Sequence, residues 1–178
     1  GIAALHSVYD EATFRAHTGT TMGTHKWVDT RIYRNVDEPL TQRKNNNYQI
    51  IAADTSGNTL DYREVDYTKP TAVLLGAEKY GISDAAYPHI DQCVTVPMLG
   101  MVESFNVGVA CAIILAEARG QREAAGLYES RQMSEESYTK TLFEWTQPLV
   151  AKYCQKHDLP YPALNEKGDI VDLDWRKG

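Results

Sequence analysis

Apolar and polar positions along the 178 residues fall into short strand-like runs separated by segments of helical spacing. Ile2 to Val8 alternates loosely and reads as a strand, and Trp27-Val28 as the start of another. Tyr48 to Ala53, Ala72 to Leu75 and Cys93 to Val96 are apolar runs bounded by turn residues, which predicts buried strands. Asp37-Glu38-Pro39 places acids and a proline where a helix begins, and Asn45-Asn46-Asn47 ends that helix. Ser83-Asp84 opens a short helix. Ser104 reads as the N-cap of a long helix, with Gly126 as its C-cap. A last helix starts near Ser134 and runs toward His157, with Tyr138, Leu142, Trp145 and Leu149 at helical spacing and a kink at Pro148. Residues 17–26 and Ser56-Gly57-Asn58 read as loop and turn, and the tail from Asp158 has little regular pattern. Strands alternating with helices predict an α/β class, a mostly parallel sheet flanked by helices, in a single domain.

Composition narrows the function classes. Hydrophobic residues make up 43%, enough for a sizeable core. No apolar run approaches the about 20 residues that a membrane span requires. No basic stretch precedes an apolar segment, so no signal peptide is visible. Cys93, Cys111 and Cys154 form no C-x-x-C pair and two lie in apolar patterns, which predicts reduced thiols and a cytoplasmic setting. The five histidines show no metal-ligand spacing, so no metal is expected. A net charge of -6 disfavours nucleic acid as a partner unless the charge is local. Two local clusters exist, Arg31, Arg34, Arg43 and Lys44 in one segment, and Arg119, Arg122 and Arg131 after the long helix. Either is also readable as a solvated surface.

The chemistry concentrates in two loops, each following a strand. The first is Gly76-Ala-Glu-Lys-Tyr-Gly81. Its Lys79 stands in the wrong place for a Walker A loop, and no G-x-G-x-x-G occurs in the chain. The loop therefore suits a neutral or cationic ligand held by backbone groups, or is a plain strand-to-helix turn. The second is Val96-Pro-Met-Leu-Gly100. Pro97 should stop the strand, and Gly100 permits a turn of positive φ. Ser104 and Asn106 then stand at a helix N-terminus, where free N–H groups point outward. They orient a ligand, or Ser104 only caps and Asn106 faces water. Glu78 either contacts substrate or stabilises a helix N-terminus. Val107 to Ile114 is apolar or small all round, as in a helix buried in a core or in a dimer interface.

Leu75-Gly-Ala-Glu-Lys-Tyr-Gly-Ile-Ser83 and Val96-Pro-Met-Leu-Gly-Met-Val-Glu-Ser-Phe-Asn-Val-Gly-Val-Ala110 resemble the second and third motifs of the SPOUT superfamily. The likeness is to its TrmH branch, the tRNA guanosine 2′-O-methyltransferases. Asp61-Tyr-Arg-Glu-Val-Asp-Tyr-Thr-Lys-Pro70 and Leu159-Pro-Tyr-Pro162 resemble that branch too, so the match runs over nearly the whole chain.

The resemblance implies an α/β sheet with a C-terminal deep trefoil knot, one SPOUT domain over residues 1–178 with residues 129–178 as a helical extension and tail, and a homodimer. It implies S-adenosylmethionine as cofactor, with Ala53, Gly76, Val96, Met98, Gly100 and Phe105 around it, and Ser104, Asn106 and Glu78 at the reacting centre. The substrate it implies is the ribose of a guanosine in the tRNA D-loop. The family's first motif supplies an arginine that activates the hydroxyl. That motif lies upstream of the strand matching Ile2–Val8 and is absent from this sequence. The expectation is an N-terminally truncated chain that keeps pocket and dimer surface but turns over little. Alternatives are a non-catalytic knotted dimerisation or RNA-binding module, and a ribose methyltransferase acting on ribosomal RNA.

Overall fold

The computed structural model describes residues 2, 4–9, 27–101, 104–172 and 174–175. The chain forms two compact units, Gly1–Glu129 and Ser130–Gly178. The loop predicted over residues 17–26 lies outside the described residues.

Among the described residues the first unit holds six strands, all paired in parallel. β1 (Ala4–Val8) pairs with β2 (Asp29–Tyr33). β3 (Gln49–Ala53), β4 (Leu60–Asp61), β5 (Thr71–Leu75) and β6 (Gln92–Thr95) form a second sheet in the order β4-β6-β3-β5. Ala53 is in register with Leu75 on one side and Val94 on the other, so three strands end at one edge. The mostly parallel class expected from alternation is therefore observed.

Successive side chains of a strand point to opposite faces, and β3 uses both. Ile51 joins Val65, Tyr67, Val94 and Ile114 in one buried cluster, and Ile50 joins Leu40 and Ala86 in another. The first face is covered by helix α2 (Val107–Ala124) and the segment after β4. The second is covered by helix α1 (Asp37–Asn45) and a 3₁₀ turn over Asp84–His89. Burying a side chain such as Ile51 or Ile114 stabilises by about 1.5–3 kcal/mol each. β5 reads as a buried strand in sequence, yet its residues are only half-buried, because it is the sheet edge.

The N-cap expected at Ser104 is at Asn106 instead, whose side chain accepts from the Gly108 N–H. Gly126 sits one residue past the C-cap with φ of 69°, the left-handed turn that favours glycine there. The apolar helix is not buried all round in the single chain. Ile114 is sealed, whereas Val109 on the far side is 47% exposed.

In the second unit Pro148 divides the predicted last helix into α3 (Glu135–Thr146) and α4 (Pro148–His157). Proline has no N–H to give a preceding carbonyl, so it starts a helix more readily than it continues one. The buried side chain of α3 is Phe143, stacked on Tyr161 of the tail at 4.5 Å. The expected stripe of Tyr138, Trp145 and Leu149 is largely exposed.

Candidate active site

The ends of β3, β5 and β6 and the start of α2 enclose a cavity of about 580 Å³. Its floor is apolar, made by Ala53, Ile82, Val94, Ala110 and Ile114. Val94 and Ile114 are fully buried beneath it. Open parallel sheets place ligands in this position because the strand ends and helix N-termini converge there. The volume lies within the range that holds a ligand of a few tens of atoms.

One wall is the loop after β5. Ala77 and Gly81 exchange backbone hydrogen bonds, 2.9 Å from the Ala77 N–H and 2.8 Å from the Gly81 N–H. This closes the loop on itself, with Gly81 at φ 67°. A Cβ on Gly76 would lie 2.4 Å from the Gly81 carbonyl carbon and 2.7 Å from the Ile82 nitrogen. Gly76 is thus required by the loop's own closure, a constraint that spacing alone does not reveal.

The opposite wall is the segment entering α2. Asn106 Oδ1 accepts from the Gly108 N–H at 2.8 Å, and Asn106 Nδ2 donates to Glu78 Oε1 at 3.0 Å. One side chain therefore caps the helix and fastens it to the first loop. Ser104 and Phe105 line the same cavity.

A third contributor, Asp54, carries no sequence motif. It follows β3 and lines the cavity rim with Thr55. Asp54 Oδ1 accepts from the Ser56 N–H at 3.0 Å and the Ser56 hydroxyl at 2.9 Å, and Oδ2 accepts from the Tyr87 hydroxyl at 2.7 Å. Partial burial pushes its carboxyl up. The bonds from Ser56 and Tyr87 outweigh that and hold it below the ordinary range. Only a Ser two residues on, forming an Asx turn, marked this position in the sequence.

Of the residues singled out from sequence, Ala53, Gly76, Glu78, Val96, Ser104, Phe105 and Asn106 converge on the cavity. Met98 and Gly100 do not line it. The segment between them and Met101 runs into solvent, with Leu99 and Met101 fully exposed. Gly100 is not among the glycines of positive φ, contrary to the turn expected there.

Electrostatically the cavity is one-sided. Asp54 and Glu78 line it, and among the described residues no lysine or arginine does. Several members of the basic clusters are ion-paired. Arg31 pairs with Asp29, Lys44 with Asp91, Arg119 with Glu123 and Arg131 with Glu135. Arg122 donates to the Tyr67 carbonyl at 3.1 Å. Among the described residues no group of His, Cys, Asp and Glu is arranged to hold a metal, and no helix is long and apolar enough to cross a membrane. Cys93, Cys111 and Cys154 are free thiols, and burial pushes the thiols of Cys93 and Cys111 up.

Comparison with known proteins agrees with this geometry. The SpoU rRNA methylase family matches residues 1–116, and the C-terminal SpoU rRNA methylase family matches residues 120–173. The tRNA (guanosine(18)-2′-O)-methyltransferase of Escherichia coli K12 is 39% identical over 178 residues, covering 98% of this chain and 78% of the relative. The crystal structure of the Aquifex aeolicus TrmH/SpoU tRNA modifying enzyme superposes with a TM-score of 0.73 at 34% identity, covering 90% of this chain and 78% of that one. The SpoU methyltransferase AviRb of Streptomyces viridochromogenes, solved in complex with AdoMet, shares the fold with a TM-score of 0.59 at 23% identity, over 68% of this chain and 49% of its own.

Proposed function

This chain belongs to the SpoU methylase family, and from that premise we propose that it methylates the ribose 2′-oxygen of a D-loop guanosine in tRNA, position 18 in the names of its relatives. The methyl donor is S-adenosylmethionine. The observation that carries the reading is the shared cavity: the glycine-bearing loop after β5 and the segment Ser104–Asn106 entering α2 wall one space with an apolar floor and carboxylates at its rim. An adenosyl group suits the apolar floor. A sulfonium suits a rim that, among the described residues, has carboxylates and no cation.

When bound, the donor supplies an electrophilic methyl group, so positioning the ribose provides much of the acceleration. A 2′-hydroxyl is a weak nucleophile until its proton is drawn off. We assign its orientation to Ser104 and to Glu78 Oε2, the carboxylate oxygen outside the bond to Asn106. Asn106 acts as a positioning residue, holding Glu78 to the start of α2. Ala53, Gly76, Val96 and Phe105 contact the donor. Met98 and Gly100 reach it only if the exposed segment folds over the bound ligand.

Three further parts belong to the same reading. The segment after β6 threads the loop before it as a deep trefoil knot, which family membership and the common cavity of the two loops support. Residues 1–178 act as one methyltransferase domain with 129–178 as its extension. The outward stripe of α2, where Val109, Ala112 and Ala116 are exposed, meets a second copy in a cytoplasmic homodimer.

Single-turnover methylation tests the function, with protein in excess so that a slow chemical step still registers. An unmodified tRNA transcript should gain one methyl group at G18, and a transcript carrying A18 none. Methyl transfer only to ribosomal RNA, or none to any RNA by a chain that binds the donor, would overturn the tRNA reading.

A further inference from the structure

Asp54 is an ionised carboxylate whose partners are all neutral. Its three hydrogen bonds come from the Ser56 N–H, the Ser56 hydroxyl and the Tyr87 hydroxyl. No ion pair involves it among the described residues. The same cavity holds a second carboxylate, Glu78, and among the described residues neither lysine nor arginine lines it. An uncompensated charge beside an apolar floor acts at lower effective dielectric than one in water. Among the described residues, the site therefore carries two carboxylates and no cation in its lining.

We propose that Asp54 is a specificity-determining residue that makes the cavity prefer the charged methyl donor to its uncharged demethylated product. The inference rests on the donor assignment made above. Methyl transfer breaks the bond between methyl carbon and sulfur and leaves the electron pair on sulfur, which turns a sulfonium into a neutral thioether. The 2′-hydroxyl proton leaves as the new oxygen–carbon bond forms. Apart from the transferred methyl group, donor and product share every other feature, so contacts to the adenosyl and amino-acid parts hold both alike. A fixed charge acts on the sulfonium that only the donor carries. Asp54 is suited to this because Ser56 and Tyr87 fix its position without neutralising it. A carboxylate paired with lysine would lack that discrimination.

The geometry also separates this role from a simple structural one. Asparagine at position 54 keeps an oxygen for Ser56 and a side chain of the same shape; it removes the charge and presents an amide N–H that the Tyr87 hydroxyl can accept. Tyr87→Phe does the reverse, removing a hydrogen bond and leaving the charge.

Calorimetric titration of the full chain with S-adenosylmethionine, S-adenosylhomocysteine and sinefungin tests the inference. Sinefungin carries an ammonium-bearing carbon where the donor has its methylsulfonium. In Asp54→Asn, donor and sinefungin should each bind about 5-fold to 30-fold more weakly, the order expected for losing one charge in the same cavity. The product should change less than about twofold, and Tyr87→Phe should leave the ratio of donor to product affinity unchanged. Equal weakening of all three ligands by Asp54→Asn overturns the inference and points to a contact with the common adenosyl part. No change in any of them also overturns it. If Asp54→Asn does not fold, Asp54→Ser, which removes the same charge, is read by the same criteria. Failure of the unaltered chain to bind any of the three ligands defeats the donor assignment itself, a separate result.

Discussion

Asn106 Nδ2 donates to Glu78 Oε1 at 3.0 Å, while Oδ1 of the same amide accepts from the Gly108 N–H at 2.8 Å. A single side chain thus links the start of α2 to the loop after β5. Both of its functions are lost in Asn106→Ala. Loss of an N-cap costs about 1 kcal/mol. For a chain of this size that lowers Tm by roughly 2–4 °C. Asn106→Asp keeps the cap but sets two carboxylates together. It should melt closer to the unaltered chain than Asn106→Ala does, yet methylate tRNA about 10-fold more slowly or worse, because Glu78 is pushed away. Thermal melts and single-turnover rates on both variants check this. Equal melting of the alanine variant and the unaltered chain would remove the cap from the account.

Gly76 and Gly100 make a matched pair for testing which glycine the fold requires. A methyl group on Gly76 meets backbone at 2.4 Å, whereas Gly100 has nothing within 4 Å and no positive φ. Gly76→Ala should destabilise by about 2–4 kcal/mol, since backbone cannot yield as a flexible side chain can. Gly100→Ala should change stability by less than about 0.5 kcal/mol. Urea unfolding of the two variants decides, and equal midpoints would show that the loop after β5 is not closed as described.

Asp91 joins α1 to β3. Its Oδ1 accepts from Lys44, and Oδ2 accepts from the Ile50 N–H at 2.7 Å. Partial burial pushes the carboxyl up, but the bonds from Lys44 and Ile50 prevail and lower it below the usual 3.8. A depressed folded pKa means that the unfolded chain binds the proton more readily. The contribution is therefore complete above pH 3.8 and disappears as pH falls through the lower folded value. Asp91→Asn should cost about 1 kcal/mol at neutral pH, mostly because the bond from the Ile50 N–H loses its charge assistance, the ion pair with Lys44 being exposed and screened. It should also flatten the fall in stability below pH 4. Urea midpoints between pH 2 and 7 check both. An unchanged acid slope would place the relevant carboxylates elsewhere.

In the C-terminal unit the stack of Phe143 on Tyr161 takes the place of a larger core. The Tyr161 hydroxyl donates to Glu144 at 2.8 Å and accepts from Gln155 at 2.7 Å. Phe143→Ala should cost about 3–5 kcal/mol locally and Tyr161→Phe about 1 kcal/mol. Hydrogen exchange should show faster opening confined to α3, α4 and the tail. Uniform loss of protection in the first unit as well would contradict this.

Much of this arrangement was legible in the residues. Apolar runs closed by Gly, Asn or Pro located β3, β5 and β6, and parallel pairing then carried their ends to one edge. Hence Ala53, Gly76 and Val96 share a cavity although 20 or more residues separate each from the next. Local preference misplaced the cap, because Ser104 and Asn106 are both good N-cap types and only the position of Gly108 decides between them. Helical spacing misjudged Phe143, because Pro148 ends the register on which Tyr138, Trp145 and Leu149 were aligned. For Asp54 the sequence offered only the turn with Ser56, since its partner Tyr87 is 33 residues away and only the fold brings them together. Met98 and Gly100 belong to a motif whose segment here stands in solvent, so motif membership and position in the cavity diverge.

Calorimetric titration with S-adenosylmethionine is the most direct measurement of a donor site between the two loops. The unaltered chain should give a saturable one-site isotherm with a micromolar dissociation constant. Ala110→Leu, which fills the floor of the cavity, should weaken it by about 10-fold or more while circular dichroism stays unchanged. Absence of heat at millimolar ligand, or undiminished affinity in a folded Ala110→Leu chain, would contradict the placement of the site.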